Sequence, residues 1–340
     1  MTAEELPLLS ICIPTYNRSS LLEECLNSVV GALRGFETVV EVLVSDNASG
    51  DNTLEVVGRF QLEHPFIRYN RNDVNVVDDN FFIAASLARG KYIWLFADDD
   101  LMESGAIAVV LQYIAKSHDL IICNYSVWDK TLSRKVNAKF YRVNGDIEFT
   151  DHNELLKDLG TKLQFISSIV VRREHFLALS RQEYEGFHKY GVSFLLSLYC
   201  GIMHRTKAVL IAEPLLRYRG DNSPIVDART WYKFFSTGTE LLFEELEKRE
   251  YSARALHGAR GIVLKDYIMH DLSRRKRNGE SLEGLLSMTF SYYKHHYLFW
   301  ILVLPIFLLP EACVALANGI VVRLRSRKKS KSDESKLFSI

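Results

Sequence analysis

The first hundred residues alternate between short apolar runs and stretches with helical periodicity. Each apolar run ends in polar residues, and the four runs are LLSICIPTYNR (8–18), VVEVLVSDNASGDNT (39–53), FIRYNRN (66–72) and IWLFADDDL (93–101). Continuous apolar runs of this length indicate strands buried on both faces, as in a parallel sheet. Because helical patterns separate them, the sequence predicts an α/β fold with a mostly parallel sheet flanked by helices.

Helices are predicted in the intervening stretches. After the first run, apolar residues recur at spacings of three and four, at Leu21, Leu22, Cys25, Leu26 and Val29. Further helices are expected over 53–60 and 77–89, the second closed by Gly90 as a C-cap glycine. Beyond them the pattern predicts strands at 120–128, 164–176 and 208–223, a surface hairpin or loop at 129–150, and helices over 231–278.

The fourth apolar run ends in three consecutive carboxylates, Asp98, Asp99 and Asp100. In open α/β sheets, ligands bind beyond the carboxyl ends of the strands. Carboxylates packed there repel one another unless a cation lies between them, and hard divalent cations prefer oxygen ligands. One Asp would be enough to cap the next helix. Three of them favour a metal and phosphate site.

These motifs, taken in order, resemble those of glycosyltransferase family two. The matching segments follow successive strands within residues 8–115, and they are PTYNR, SDNASGDNT, the Arg71-Asn72 pair and the aspartate cluster. The resemblance implies the Rossmann-like GT-A fold and a nucleotide-sugar donor. The wording FADDDL looks most like that of bacterial O-antigen sugar transferases of the abequosyl- and rhamnosyltransferase kind.

The resemblance also implies roles for residues at the donor site, namely Pro14, Thr15, Tyr16, Arg18, Asp46, Arg71 and Asp98. Tyr16 would stack on the nucleobase, in a pocket shaped by its neighbours in the first turn. Asp46 would read the base, and Arg71 would hold the base side and pair with the acidic cluster. Asp98 would face the ribose.

For the cation, the resemblance implies that Asp99 binds Mg²⁺ or Mn²⁺ bridging the diphosphate. Such an ion would stabilise the negative charge that grows on the leaving phosphate. The family usually has an acidic residue where Ala97 stands, so the cluster is shifted. Either Asp98 or Asp100 could therefore be the second ligand.

Sugar transfer also needs a general base for the acceptor hydroxyl. Inverting members of the family place an Asp or Glu in the second half of the domain, often in a Glu-Asp pair before a helix. The corresponding stretch, residues 181–198, lacks that pair and instead offers Glu183, Glu185 and His188 before an apolar helix. Any of the three could be the base or a solvated charge at a helix start.

The end of the chain has a different character. Residues 297–322 are almost wholly apolar, and six basic residues follow at Arg323, Arg325, Arg327, Lys328, Lys329 and Lys331. The length permits a membrane span, but Pro305, Pro310 and Glu311 interrupt it and basic clusters flank both ends. The pattern favours monotopic attachment to an anionic membrane surface. We therefore divide the chain into a GT-A domain (1–228), a helical extension (229–296) and a membrane-associating segment with a basic tail (297–340).

Composition agrees with a globular enzyme. The 42 basic residues balance the 42 acidic ones, so overall charge does not predict nucleic-acid binding. Five cysteines without CxxC spacing are typical of reduced thiols in a cytosolic setting. Residues 1–7 lack the apolar region of a signal peptide.

The resemblance, taken with the carboxyl-terminal pattern, implies a metal-dependent, inverting glycosyltransferase at the cytoplasmic face of the bacterial inner membrane. Its partners would be a nucleotide-sugar donor, a lipid-linked oligosaccharide acceptor and the membrane surface, in O-antigen or capsule synthesis. Two alternatives stand beside it: a catalytically inactive nucleotide-binding membrane scaffold, and a nucleotidyltransferase. The latter usually has a glycine-rich basic loop after its first strand, which PTYNR is not.

Overall fold

The computed structural model describes residues 6–203, 207–220 and 232–310. Within these ranges one mixed sheet has the spatial order β3-β2-β1-β4-β9-β6-β10-β5, with β7 beside β6 and β8 beside β10. The strands are β1 (Leu9–Thr15), β2 (Val40–Asp46), β3 (Ile67–Arg71), β4 (Tyr92–Leu95), β5 (Leu101–Met102), β6 (Leu120–Trp128), β7 (Lys135–Asn137), β8 (Ile147–Phe149), β9 (Ile169–Arg172) and β10 (Ala208–Arg219).

The amino-terminal half of the sheet is parallel, as the apolar runs predict. Strand β1 lies between β2 and β4, and β3 extends the sheet beyond β2. Every residue of β2 and β4 is buried, because helices cover both faces. The four carboxyl ends therefore meet at one edge, where the polar residues follow the strands.

The other half is largely antiparallel, so the prediction of a mostly parallel sheet holds only for β1 to β4. Strand β9 pairs antiparallel with both β4 and β6, whereas β10 runs parallel to β6. Because β9 runs against β4, the residues just before β9 lie at the carboxyl end of β4. This reversal brings Ser167 to the aspartate cluster.

Helices flank the sheet and then form a separate layer in the second half of the chain. They are α1 (Ser19–Leu33), α2 (Thr53–Glu63), α3 (Asp79–Leu87), α4 (Ala106–Ala115), α5 (His152–Leu159), α6 (Arg173–Phe176), α7 (Arg181–Tyr184), α8 (Ser193–Ile202), α9 (Thr239–Lys248), α10 (Ala253–Ile262), α11 (Met269–Arg277), α12 (Leu285–Tyr293) and α13 (Leu304–Leu308). Wider π-helical turns lie at Phe234–Gly238, Val263–Ile268 and Phe299–Val303.

Gly90 has a different role from the one predicted. Helix α3 ends at Leu87 with Ala88 as its C-cap, and the prediction of Gly90 as the cap is wrong. A Cβ at Gly90 would lie 2.6 Å from the backbone nitrogen of Ser10. Glycine is required here because the chain passes directly against β1, and its N–H donates to Ser10 Oγ at 2.8 Å.

The helical layer packs against the sheet part of the molecule. Helix α10 crosses α5, where a Cβ at Gly258 would meet Lys157 within 2.5 Å. The helices predicted over 231–278 are confirmed by α9, α10 and α11. Ser252 caps α10 by accepting a hydrogen bond from the Ala255 N–H.

The first part of the predicted membrane segment is packed into protein. Phe299 and Val303 are fully buried and Ile306 is nearly so. In the described ranges no helix is both long enough and apolar enough to cross a membrane. Glu311, residues 312–322, the basic tail and the predicted boundary at 228 lie outside the described residues.

Candidate active site

The polar residues that end β1, β2 and β3 lie side by side. Thr15 is in register with Asp46, and Asp46 is in register with Arg71. The motifs that the sequence places after successive strands thus form one row at the carboxyl edge. This edge is where an α/β sheet binds its ligands.

The first two motifs are fastened together by their loops. Asn17, in the left-handed region at φ 52°, donates its N–H to Ser49 Oγ at 2.9 Å, and its side-chain oxygen accepts from Gly50 N at 2.7 Å. Asp51 accepts from the Ser19 N–H at 2.8 Å. This scaffold leaves Tyr16 44% exposed.

Asp46 is fully buried and holds its neighbours. One oxygen accepts from Ser49 N at 2.8 Å, and the other accepts from Tyr69 OH at 2.6 Å and Arg71 Nη1 at 3.1 Å. Burial and the nearby Asp46 carboxylate raise the pKa of Tyr69 to about 12. Arg71 therefore pairs with Asp46, which corrects the expectation that it would pair with the aspartate cluster.

The aspartate turn places its three carboxylates in different surroundings. Asp98 is buried, accepts from Thr15 Oγ1 at 2.8 Å, and faces Arg18 Nη1 at 3.2 Å. Its burial raises the pKa to about 6, against the lowering effect of Arg18. Asp99 is less buried and contacts the same Arg18 nitrogen at 3.1 Å.

Asp100 holds the aspartate turn to its neighbours inside the protein. Its carboxylate is buried and accepts from Ser167 Oγ at 2.6 Å and from the Arg219 N–H at 3.1 Å. Burial, reinforced by the charge of Asp99, raises its pKa well above the ordinary value. Of the two candidates for a second metal ligand, the geometry favours Asp98 over Asp100.

The side chain of Arg219 holds the aspartate turn in place. Its guanidinium donates to the backbone oxygens of Asp99 (2.9 Å) and Lys130 (3.0 Å) and forms an ion pair with Glu24 at 2.6 Å. A buried arginine thus joins α1, the aspartate turn and β10. No local sequence pattern indicates the pairing with Glu24, because the two residues are far apart in the chain.

A divalent cation fits the pair Asp98 and Asp99. One Arg18 nitrogen already lies between their carboxylates, so this position attracts positive charge. Within the described ranges no group of three or more His, Cys, Asp or Glu side chains could hold a metal by itself. Mg²⁺ commonly uses one or two carboxylates together with substrate phosphates, which matches this donor set.

The three candidate bases occupy different environments. Glu183 caps α7: one oxygen accepts from Ser180 N and Oγ, both at 2.9 Å, and the other pairs with Arg249. Hydrogen bonds from Ser180 lower the pKa of Glu183. Glu185 is exposed and lies 3.5 Å from Arg181.

His188 alone among them contacts a buried carboxylate. Its Nε2 lies 2.9 Å from Asp79 Oδ1, and its Nδ1 lies 2.8 Å from Ser193 Oγ at the first residue of α8. Asp79 begins α3, and the next residue, Asn80, bonds Ser45 and Asn72 beside the ends of β2 and β3. His188 therefore approaches the same edge. No sequence pattern marks Asp79 as a partner of His188, because it lies in the first turn of a predicted helix, where an acidic residue is ordinary.

Comparisons with known proteins agree with this geometry. The family model for glycosyl transferase family 2 matches residues 10–179. The chain is 30% identical to the abequosyltransferase RfbV of Salmonella typhimurium over 230 residues, which cover 63% of this chain and 67% of that protein. It is 28% identical over 149 residues to the GalNAc(5)-diNAcBac-PP-undecaprenol beta-1,3-glucosyltransferase of Campylobacter jejuni, covering 43% of this chain and 47% of that protein. The chain therefore spans about two thirds of the first relative and less than half of the second.

Solved structures show the same fold. Residues 1–349 of TarS from S. aureus, in complex with UDP-GlcNAc, match with a TM-score of 0.62 at 15% identity, over 85% of this chain and 80% of that one. The mannosyltransferase PcManGT from Pyrobaculum calidifontis, with GDP-Man and Mn²⁺, matches with a TM-score of 0.52 at 14% identity, over 93% and 86%. The mixed, Rossmann-like sheet is thus a GT-A fold.

Proposed function

The chain belongs to glycosyltransferase family 2, and from this premise we propose that it moves one sugar from a nucleotide-sugar donor to a lipid-linked glycan. We place the reaction in bacterial O-antigen or capsule synthesis, because relatives include an abequosyltransferase and a glucosyltransferase named for an undecaprenol-linked substrate. One observation carries the proposal: Thr15, Asp46 and Asp98 meet at a single edge of the sheet beside an exposed Tyr16.

The donor nucleotide would lie along the row formed by β1, β2 and β3. Tyr16 would stack on the base, in a pocket that Pro14 and Thr15 help to shape. Asp46 would act on the base through the groups that it holds, Tyr69 and the more exposed Arg71. Asp98 would face the ribose.

The leaving diphosphate would lie over the aspartate turn. Asp98 and Asp99 would hold Mg²⁺ or Mn²⁺, and such an ion, when bound, stabilises the growing phosphate charge as a Lewis acid. With a cation held by these two carboxylates, Arg18 would be available to contact a phosphate oxygen. Asp100, Ser167 and Arg219 keep the turn rigid, which supports catalysis by preorganised charge.

We assign the general base to His188. In the tautomer that donates Nε2–H to Asp79, Ser193 Oγ donates to the Nδ1 lone pair. The acceptor hydroxyl would take the place of Ser193 at Nδ1 and pass its proton to this nitrogen as its oxygen bonds to the anomeric carbon and the bond to the diphosphate breaks. The carboxylate of Asp79 orients the ring and stabilises the imidazolium that forms. A base opposite the leaving group would give inversion at the anomeric carbon.

The acceptor would be an oligosaccharide on a lipid diphosphate, met at the cytoplasmic face of the inner membrane. Monotopic or peripheral attachment through the carboxyl-terminal part of the chain would bring the donor edge to that surface. The apolar segment and the six basic residues that follow it are the sequence support for this placement.

A donor panel tests the proposal. UDP-, GDP-, dTDP- and CDP-sugars are offered with and without Mn²⁺, and we expect one class to bind and release its sugar only with the cation. Addition of radiolabelled sugar to extracted lipid-linked oligosaccharide identifies the acceptor. Nucleotide binding without release or transfer of sugar from any donor would indicate the inactive scaffold instead.

A further inference from the structure

An open groove lies between α12 and the helical residues 299–308. It has a volume of about 560 Å³ and is lined by Gly284, Leu286, Ser287, Phe290, Trp300 and Leu304. Small-molecule sites commonly have volumes of about 300–1,000 Å³ and predominantly apolar linings. The groove lies in the helical layer, whereas the donor residues lie at the carboxyl edge of the sheet.

Trp300 presents only its apolar atoms to the groove. Its indole N–H donates to the Lys294 carbonyl at 2.8 Å, so its polar atom is satisfied inside the protein. The ring packs against Phe290 and Phe299 yet remains 49% exposed. The surface that it offers to a ligand is therefore hydrocarbon.

Further large apolar side chains are exposed on the stretch of chain that carries Trp300 and Leu304, and we call these residues the rim of the groove. Ile301 is 63% exposed and Leu308 is 71% exposed, and Tyr297 and Leu309 are also exposed. Isolated exposed apolar residues are ordinary, but a contiguous group of them marks an interaction site. Tyrosine and tryptophan together are typical of the boundary between water and lipid.

We propose that this groove takes a hydrocarbon chain of an anionic bilayer, so that α12 and α13 rest on the membrane; the inference rests on the proposed reaction with a lipid-linked acceptor. Two features select a bilayer. The sequence continues from the rim into apolar residues 312–322 and then into six basic residues, a combination suited to acyl chains beneath anionic headgroups. Lys294, exposed at the end of α12, adds positive charge beside the groove.

Lipid-chain quenching tests the groove directly. The full-length protein is mixed with phosphatidylethanolamine–phosphatidylglycerol vesicles whose acyl chains carry bromine. The sequence contains four tryptophans: Trp94 is fully buried, Trp128 is half-buried on β6, Trp231 lies outside the described residues, and Trp300 is 49% exposed in the wall of the groove. The quenching that Trp300→Phe removes is therefore the part that reports on the groove. We expect strong quenching in the natural chain and its loss in Trp300→Phe.

Charge substitutions give an independent measurement. Ile301→Glu on the rim and Leu286→Glu in the wall should each weaken vesicle binding about tenfold or more, because a buried apolar contact is replaced by a charge. Leu62→Glu is the matched control, since Leu62 is 87% exposed on α2. It should leave vesicle affinity unchanged. Nucleotide affinity and melting temperature show that each variant is folded.

Three results would overturn the inference: no quenching in the natural chain, undiminished quenching in Trp300→Phe, or equal vesicle binding by Ile301→Glu and Leu62→Glu. Quenching that appears only after deletion of 311–340 would show that the chain fills its own groove. Sugar transfer to a soluble acceptor analogue is measured in parallel. Vesicle binding with no transfer would count against the proposed reaction while leaving the lipid groove in place.

Discussion

At the carboxyl edge of the sheet polar side chains are buried, whereas in the last described helices apolar side chains are exposed. Asp46, Asp98 and Asp100 are enclosed by protein, and Ile301 and Leu308 face water. Both regions invert the usual distribution, and such inversions carry more information than ordinary burial does. The first region concentrates negative charge inside the protein, and the second exposes apolar surface to water.

The inversion alone does not make a catalytic site. At the opposite edge, Glu41 is also buried and accepts from Ser10 Oγ (2.6 Å), Arg68 (2.9 Å) and the Arg89 N–H (2.7 Å). All three donors point at the single carboxylate of Glu41, and together they join the strands to the loop at Arg89. At the carboxyl edge, by contrast, two carboxylates share one arginine nitrogen beside a partly exposed surface. An unbalanced negative charge distinguishes the candidate site.

The largest effect should come from removing that charge. Asp99→Asn should lower the rate of sugar transfer about a hundredfold or more. Loss of cation coordination removes several kcal/mol of charge stabilisation from the transition state. The fold should survive, as Asp99 is the least buried of the three aspartates. Transfer assays with Mn²⁺ and a thermal melt check both points.

Asp158→Asn, an exposed change of the same kind on α5, is the control and should be silent. Full activity of Asp99→Asn in metal-free buffer would refute the metal role. It would also weaken the contrast with the closed network around Glu41.

The next largest effect is expected at His188. His188→Gln should lower the transfer rate about a hundredfold while leaving nucleotide affinity nearly unchanged, since a general base commonly contributes 10²–10⁴-fold. Glu183→Gln and Glu185→Gln are the matched comparisons. If either of these loses as much activity as His188→Gln, the base assignment moves to that residue.

A third effect concerns stability, and it compares the buried Arg219 with the exposed Arg217. Arg219→Ala should lower the free energy of unfolding by about 3 kcal/mol, because it leaves the carbonyls of Asp99 and Lys130 and the carboxylate of Glu24 without the guanidinium that contacts them. Arg217→Ala is the control: Arg217 is far more exposed and pairs with Glu103 at 2.8 Å, so about 1 kcal/mol or less is expected. Urea unfolding measures both. Equal losses would mean that the aspartate turn is held by other contacts.

How much of this could be foreseen depends on the range of the contacts. The row Thr15, Asp46 and Arg71 follows from strand patterns, because parallel strands bring their carboxyl ends together. The contact of Ser167 with Asp100 does not, since it depends on β9 running antiparallel between β4 and β6. Likewise the pairing of Arg219 with Glu24 joins residues 195 positions apart.

The sequence likewise did not predict which residues of the last helices are exposed. The apolar run from residue 297 was visible in sequence, but which of its residues face the core was not. The run's buried members, Phe299 and Val303, pack into the helical layer, while Trp300 and Ile301 between them face outward. The wide π-helical turn at Phe299–Val303 changes the spacing on which a helical pattern relies.

A smaller effect is expected at the nucleobase. Tyr16→Ala should weaken nucleotide affinity about tenfold, because stacking of a base on an aromatic ring is worth about 1–3 kcal/mol. Tyr16→Phe keeps the ring and should bind almost normally. Calorimetry with the donor nucleotide measures both, and unchanged affinity in Tyr16→Ala would remove this residue from the donor pocket.

The smallest effect should follow deletion of residues 311–340. The residues assigned to the donor all precede residue 101, and the described core ends at Ile306, so nucleotide affinity should stay within about twofold. Deletion from residue 297 is the informative contrast, because it also removes Phe299, Val303 and Ile306 from the core. Each fully buried apolar side chain contributes roughly 1.5–3 kcal/mol, so that longer deletion should unfold or strongly destabilise the protein. Calorimetry and thermal melts distinguish the two deletions. In the shorter deletion, sugar transfer to the lipid-linked acceptor should fall relative to transfer to a soluble analogue. A large loss of nucleotide affinity after removal of 311–340 would mean that the two regions act as one site.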